Sequence, residues 1–261
     1  RPGSTKKNSR SRNWKATVTA KHSDMQKVVM GLSGGMDSAT LLGLLLDQGA
    51  EVHCCSFYYG SKHNAYERKA AENIVNHYKK MGFSVFLYPI DLTEAFKNFS
   101  SNLLLTGGDI PEGHYNDENM KVTVVPGRNM IFSAIMAGLA ESVGATQIAL
   151  GVHAGDHHIY PDCRAEFIKA LDSAIYLSSD RKVSVITPLL AYDKTGILIL
   201  GYSDFVYQVP YHLTRTCYKD QVLSCGKCGS CRERLEAFAH LMIEDPIPYE
   251  KHEREITSSG G

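Results

Sequence analysis

The stretch that most restricts this chain runs from residue 28 to residue 46. An apolar run at 28–32 is followed by Ser-Gly-Gly-Met-Asp-Ser at 33–38 and a second apolar run at 39–46. Short apolar run, paired glycine and helix-period run together read as strand, tight turn and helix start. Such a turn directs successive backbone N–H groups, two hydroxyls and a helix N-terminus at one point. Unpaired donors and the helix dipole there favour phosphate oxygens. The spacing excludes two commoner phosphate loops: no lysine follows as Gly-x-x-x-x-Gly-Lys-Ser/Thr requires, and Gly-x-Gly-x-x-Gly is absent.

The pattern downstream supplies the fold. Residues 38–48 read as a helix stopped by Gly49, 52–58 as a strand, 64–81 as a long helix ended by Gly82, and 84–90 as a third strand. This β-α-β-α-β order with short connections predicts a parallel sheet covered on both faces. A long loop is expected at 100–121, a short extended piece at 122–125, an apolar helix at 130–143 and a strand at 147–151. A helix at 162–177 and a fifth strand at 183–187, closed by Pro188, complete the sheet. Ligands of open parallel sheets sit outside the carboxyl ends of the strands. The loops after Tyr58, Gly151 and Thr187 are therefore expected to converge on the phosphate turn.

A second signal lies far away. Cys217, Cys225, Cys228 and Cys231 fall within fifteen residues of a chain with seven cysteines. An odd count clustered this way disfavours a disulfide framework and fits reduced thiolates holding a metal, which implies a reducing, cytoplasmic compartment. Gly226 and Gly229 let the backbone fold round a tetrahedral ion. Zn²⁺ with four sulfurs is the expected occupant, an iron–sulfur cluster the alternative. All four positions are filled, so the role is structural. Cys54 and Cys55, in a buried strand, read as core.

Charge narrows the partners. The chain has 28 basic and 28 acidic residues, but 1–24 hold seven Lys/Arg and one acid, leaving 21 and 27 elsewhere. The folded part is thus mildly acidic, and broad or stable nucleic-acid binding by it is not expected. The longest nearly apolar stretch, 130–140, is too short to span a bilayer, and no secretory signal pattern is visible. Residues 1–25 read as a disordered basic extension, a transit peptide being the lesser alternative. Residues 26–210 read as a nucleotide-binding domain, 211–256 as a zinc-binding C-terminal region and 257–261 as a tail.

The Ser-Gly-Gly-x-Asp-Ser form resembles the PP-loop of ATP pyrophosphatases. Those enzymes cleave ATP between the α and β phosphates and pass AMP to a substrate oxygen. Three further strings join it: Tyr59-Gly60-Ser61-Lys62-His63, Val125-Pro126-Gly127-Arg128-Asn129 and Tyr160-Pro161-Asp162-Cys163-Arg164. In this order, and with the cysteine run, the chain resembles the 7-cyano-7-deazaguanine synthase (QueC) family over about 26–249.

The resemblance implies an α/β, Rossmann-like PP-loop fold: a parallel five-stranded sheet flanked by helices, plus the small zinc-binding region. It implies ATP-dependent conversion of 7-carboxy-7-deazaguanine and ammonia to the nitrile through adenylated acid and amide intermediates, serving queuosine, archaeosine or deazaguanine synthesis. It further implies Mg²⁺ with ATP, Zn²⁺ in the protein and a homodimer. No glutaminase domain is visible, so ammonia is expected free or from a partner.

Expected site residues follow from the matched positions. Leu32, Ser33, Gly34, Gly35, Met36, Asp37, Ser38, Ala39, Thr40, Leu41 and Leu42 would bind ATP, Asp37 acting through Mg²⁺ because a carboxylate beside phosphates needs a cation between them. Asp37, Arg128 and Lys194 would be catalytic. Tyr59, Arg128, Asn129, Asp162 and Arg164 would bind the substrate, with Asp162 either reading the guanine-like N–H edge or capping a helix. Cys163 reads as a packed thiol.

The chain departs from the family at Ser61-Lys62, where Gln-Arg is common, and at 155–159. There His157 and His158 are open between substrate neighbours, zinc ligands and a solvated loop. The stretch 194–201 carries Leu and Ile read as exposed, a potential partner surface. Two other readings remain: the same adenylation on a protein amine or tRNA base, and a non-catalytic zinc-ribbon module for nucleic acid.

Overall fold

The structure is a computed structural model that describes residues 25–114, 118–205 and 207–251. The basic extension and the tail expected from the sequence lie outside the described residues, apart from Met25.

Five strands form one parallel sheet in the order β3-β2-β1-β4-β5: β1 (Lys27–Gly31), β2 (Glu51–Tyr58), β3 (Val85–Asp91), β4 (Gln147–Ala149) and β5 (Ser184–Ile186). The chain builds outward from β1 to β3, then crosses back to add β4 on the other side of β1. That reversal makes the gap between β1 and β4 the topological switch point, where open α/β sheets take their ligands.

Side chains alternate across the sheet as a period of two requires. Val28, Met30 and Cys54 face one buried cluster, which contains α1 (Met36–Asp47) and α2 (Asn64–Lys80). Val29 and Cys55 face the other, which contains α4 (Arg128–Val143) and α5 (Ala165–Ser178). Between β3 and α4 stands a one-turn helix, α3 (Thr93–Phe96). Beyond β5 come α6 (Lys194–Ile199) and, after the cysteine loop, α7 (Gly229–His240). Ala237 and Phe238 of α7 share the buried cluster of α1. Among the described residues no helix is long and apolar enough to cross a membrane.

Four sequence expectations change. The 122–125 piece is not extended: a 3-10 turn covers Glu118–Thr123, closed by Thr123 Oγ1 donating to Met120 O at 2.6 Å. The 162–177 helix is broken at its start. Pro161–Cys163 is a 3-10 turn, Arg164 is extended with ψ 150°, and α5 begins at Ala165. Periodicity predicts a last helix over 232–242; it starts three residues earlier, at Gly229, and ends at His240. The apolar residues at 194–201 are mostly core. Ile197, Leu198 and Leu200 are buried against α1 and α7, leaving Ile199 exposed. This corrects the expectation of an exposed partner surface.

Candidate active site and metal centre

The phosphate turn leaves β1 at the switch point. Gly34 has φ +89°, the left-handed region that favours glycine. A Cβ there would lie 2.6 Å from Glu67 O of α2, so α2 packs directly on the turn. Gly35 caps α1 without any side-chain bond, so the cap offers no acceptor to the first N–H groups, and Asp37 is the acidic residue of that first turn. Ser33 Oγ accepts from Gly35 N at 3.2 Å, and Ser38 Oγ donates to Gly35 O at 3.1 Å. Both hydroxyls stand at the mouth of a cavity of about 230 Å³. Leu32, Ser33, Gly35, Met36, Asp37 and Ser38 all line it. Of the other expected ATP residues, Ala39, Leu41 and Leu42 lie in the core, and Thr40 Oγ1 turns inward to Met36 O at 2.9 Å. They shape the helix and do not line the cavity.

Asp37 is held from the far end of the chain. Its Oδ2 accepts from Lys194 Nζ at 2.7 Å, while Glu233 Oε2 lies 3.2 Å and His153 Nε2 3.0 Å from the same ammonium. Burial alone would raise the Asp37 pKa, but Lys194 and then His153 hold it below the ordinary carboxylate value. Burial opposes the Lys194 charge, yet Asp37 and Glu233 push its pKa well up. Burial raises Glu233, against the pull of Lys194. Asp37 Oδ1 is buried without a partner, a carboxylate oxygen suited to a Mg²⁺ ion beside phosphates.

His153 and Glu233 were missed by sequence reasoning. His153 sits in the loop just past β4, at the expected sheet edge, and that position was the available signal. Glu233 lies on α7 among other charged residues and carried none.

Arg128 opens α4 across the cavity. Its Nη1 donates to Tyr59 OH at 3.3 Å, and its guanidinium lies 6.0 Å over the Tyr59 ring and 5.7 Å over that of Tyr160. Burial disfavours the Arg128 charge, but Tyr59, Tyr160 and Asp162 keep its pKa well above the usual arginine value. Asn129 also lines the cavity, its amide oriented by donating to Asp162 O and Cys163 Sγ, each at 3.2 Å. With Nδ2 engaged, Oδ1 is presented as an acceptor.

Asp162 and Arg164 do not line the cavity. Asp162 Oδ2 accepts from Asn129 N at 2.9 Å, so it caps α4 rather than the helix that follows it. Arg164 Nε donates to His157 O at 3.1 Å. Cys163 does line it, but burial raises its thiol pKa far above normal, which argues against a nucleophile. His157 and His158 reach neither the cavity nor the cysteines.

The four cysteines form a buried group whose Sγ atoms lie within 4.8 Å of one another, a group that can hold a metal. Cys225 Sγ and Cys231 Sγ are 3.9 Å apart. A sulfur tetrahedron with bonds of roughly 2.3 Å has edges of about 3.8 Å. Backbone N–H groups of Lys219 and Cys225 point at Cys217 Sγ, and those of Lys227 and Cys228 at Cys225 Sγ, at 3.3–3.4 Å. Donors aimed at sulfur favour the thiolate a metal needs. The long loop docks here too: Gly113 N donates to Lys227 O, and Glu112 pairs with Lys219 at 2.9 Å.

The family profile described as "Queuosine biosynthesis protein QueC" matches residues 27–242. The chain is 40% identical to the 7-cyano-7-deazaguanine synthase of Pseudoalteromonas atlantica over 226 residues, 87% of this chain and 100% of that one. It is 44% identical to the synthase of the same name from Porphyromonas gingivalis over 220 residues, covering 84% and 95%. Among solved structures, NMN synthetase from Francisella tularensis is similar over 74% of this chain and 66% of that one, with a TM-score of 0.45 and 16% identity.

Proposed function

The chain belongs to the QueC family of queuosine biosynthesis proteins, and from that premise we propose that its cavity makes 7-cyano-7-deazaguanine from 7-carboxy-7-deazaguanine, ammonia and ATP. The observation that carries this reading is the uncapped turn at Ser33–Ser38 facing Arg128 across one cavity at the switch point. One wall suits phosphates, the other an anionic, aromatic acid.

The chemistry asked of the residues is mainly placement and charge screening. A carboxylate oxygen of the substrate attacks the α-phosphorus of ATP, and pyrophosphate leaves with the electron pair. Ammonia adds to the acyl carbon, loses a proton, and AMP departs to give the amide. The amide oxygen takes AMP from a second ATP, again releasing pyrophosphate. The nitrogen then loses both remaining protons as AMP leaves with the C–O pair, and the nitrile forms.

In this reading the turn's N–H groups and the Ser33 and Ser38 hydroxyls bind phosphate oxygens. Arg128 holds the substrate carboxylate or the α-phosphate with paired donors. Asn129 Oδ1 accepts from an N–H edge of the base. Asp162 acts indirectly, fixing Asn129. Lys194 keeps Asp37 ionised and aimed. When bound through Asp37, Mg²⁺ supplies charge neutralisation on the departing pyrophosphate.

Zn²⁺ is the proposed ion of the cysteine group. Its support is the spacing of the sulfurs, which suits one ion and is tighter than a four-iron cube would hold them.

The test is mass spectrometry of the product from the metal-loaded protein, 7-carboxy-7-deazaguanine, ATP, Mg²⁺ and ammonium. Nitrile with AMP and pyrophosphate is expected. Absence of AMP overturns the reading, and a stable amide as end product replaces nitrile formation with simple amidation.

A further inference from the structure

Arg215 belongs to none of the motifs above, yet it is buried at 8% exposure, within contact of the phosphate turn. Its backbone N–H donates to Gly34 O at 2.8 Å. Its guanidinium lies 4.7 Å over the Tyr66 ring on α2, the helix that presses Gly34 from the opposite side. Nη1 donates to Val222 O at 3.0 Å, and Nη2 to Lys219 O at 3.0 Å and Gln221 O at 2.7 Å. All three carbonyls belong to the loop between Cys217 and Cys225, whose two ends are sulfur ligands of the metal group. One side chain therefore gathers the metal-bounded loop, while its own peptide holds the phosphate turn.

The guanidinium reaches these three carbonyls from two separate nitrogens in one rigid plane. A lysine ammonium offers its donors from a single point. The role is thus one of shape, not of charge alone, and a charge-conserving replacement loses it.

We propose that Arg215 is a positioning residue for the nucleotide, a strut that transmits the shape of the metal-bound cysteine loop to the Ser33–Ser38 turn. This rests on the reading of that turn as the nucleotide cradle. It gives the metal a consequence beyond folding: the cysteine group sets how well the turn receives phosphate.

The test measures affinity of the metal-loaded protein for an ATP analogue with a non-cleavable α–β bridge, in Mg²⁺, for wild type, Arg215→Lys and Arg215→Gln. Metal content and circular dichroism are followed in parallel. Both variants are expected to bind the analogue about tenfold more weakly at unchanged metal content, the size of one lost positioned interaction. Stripping the metal from wild type is expected to weaken binding similarly and to add little in Arg215→Gln, because both changes act through one strut.

Wild-type affinity in Arg215→Lys overturns the proposal, as does full additivity of the two effects. If Arg215→Gln fails to fold, Arg215→Lys and the stripped wild type decide: weaker binding in both supports the strut, unchanged binding in either sinks it. If wild type itself ignores the analogue, the nucleotide reading fails first and this proposal falls with it.

Discussion

Lys194 Nζ stands 2.7 Å from Asp37 Oδ2, joining the first turn of α1 to the first turn of α6 across 157 positions of sequence. The pair is sheltered, with 8% of the lysine side chain and 23% of the aspartate exposed. Glu233 of α7 and His153 of the β4 loop complete the shell around the ammonium. Three distant segments thereby fix one carboxylate oxygen and leave the other buried without a partner.

Replacing Lys194 by Met leaves Asp37 and Glu233 as neighbouring half-buried carboxylates without their cation. Breaking a fully buried pair on one side costs about 3–5 kcal/mol, which is an upper bound here. Urea unfolding of Lys194→Met is expected to show a loss up to that size. The double variant with Asp37→Asn should lose less than the sum of the singles, because the orphaned charge is removed. Activity should fall in both, since Asp37 no longer holds its place.

The pH dependence of that pair has a definite sign. Asp37 has a folded pKa below its ordinary 3.8, so its contribution is present above that value and lost as pH falls through the lower folded one. Lys194 has a folded pKa above its ordinary 10.5, so its contribution is complete below 10.5 and lost as pH rises through the higher folded one. In the wild type the pair itself therefore adds no slope between these limits. In Lys194→Met, Asp37 and Glu233, the latter already raised by burial, lose their cation, so the stability gap should widen as pH rises through the range where those carboxylates ionise. A gap that does not widen, read from denaturant midpoints against pH, contradicts the assignment.

Gly34→Ala combines a left-handed φ of +89° with a Cβ 2.6 Å from the Glu67 carbonyl, so backbone must move. Overpacking of this kind costs about 1–3 kcal/mol. The more telling readout is the turn itself: binding of an ATP analogue should drop well beyond what the lowered melting temperature explains. Gly49→Ala is the control, because its φ is also positive but nothing lies within 4 Å of its Cβ.

Cys228→Ser, or chelation of the wild type, should remove one metal ion per chain. Hydrogen exchange should then quicken at 217–231 and also at 110–113, where Ile110 packs on the cysteines and Gly113 bonds to Lys227. Rapid exchange confined to the cysteine segment would show that the long loop does not depend on it.

Arg234 is fully buried and donates through Nε and Nη2 to both carboxylate oxygens of Asp245, at 2.7 and 2.8 Å. Tyr249 OH also donates to Asp245. Asp245→Ala strands that guanidinium and is expected to cost about 3–5 kcal/mol. By contrast Arg68→Ala, breaking the exposed pair with Glu72, should change stability by about 0.5 kcal/mol or less. Thermal melts of the two variants check the contrast.

Much of the fold was legible because its signals are local. The glycine turn, the apolar runs of β1 and β2 and the helix spacing of α2 need only neighbours a few residues away. The cysteine spacing named the metal group for the same reason. Local reading erred where long-range packing ruled. Ile197, Leu198 and Leu200 looked exposed because the partners that bury them, α1 and α7, lie far off in sequence. Asp162 reads as a substrate contact or as the cap of the helix that follows it, yet its carboxylate accepts from Asn129 N, 33 residues back, at the start of a different helix.

Sequence by itself determined the strand–turn–helix cradle, the layered parallel sheet and the four-sulfur group, since backbone conformation and hydrophobic period are set residue by residue. The matched motifs already pointed to Arg128 and Lys194, and only the tertiary structure added His153, Arg215 and Glu233 around the turn. Arg128, His153, Lys194, Arg215 and Glu233 come from separate segments. Their meeting depends on strand order and on helices packing across the sheet, and distances between remote groups are not encoded in any window of the chain.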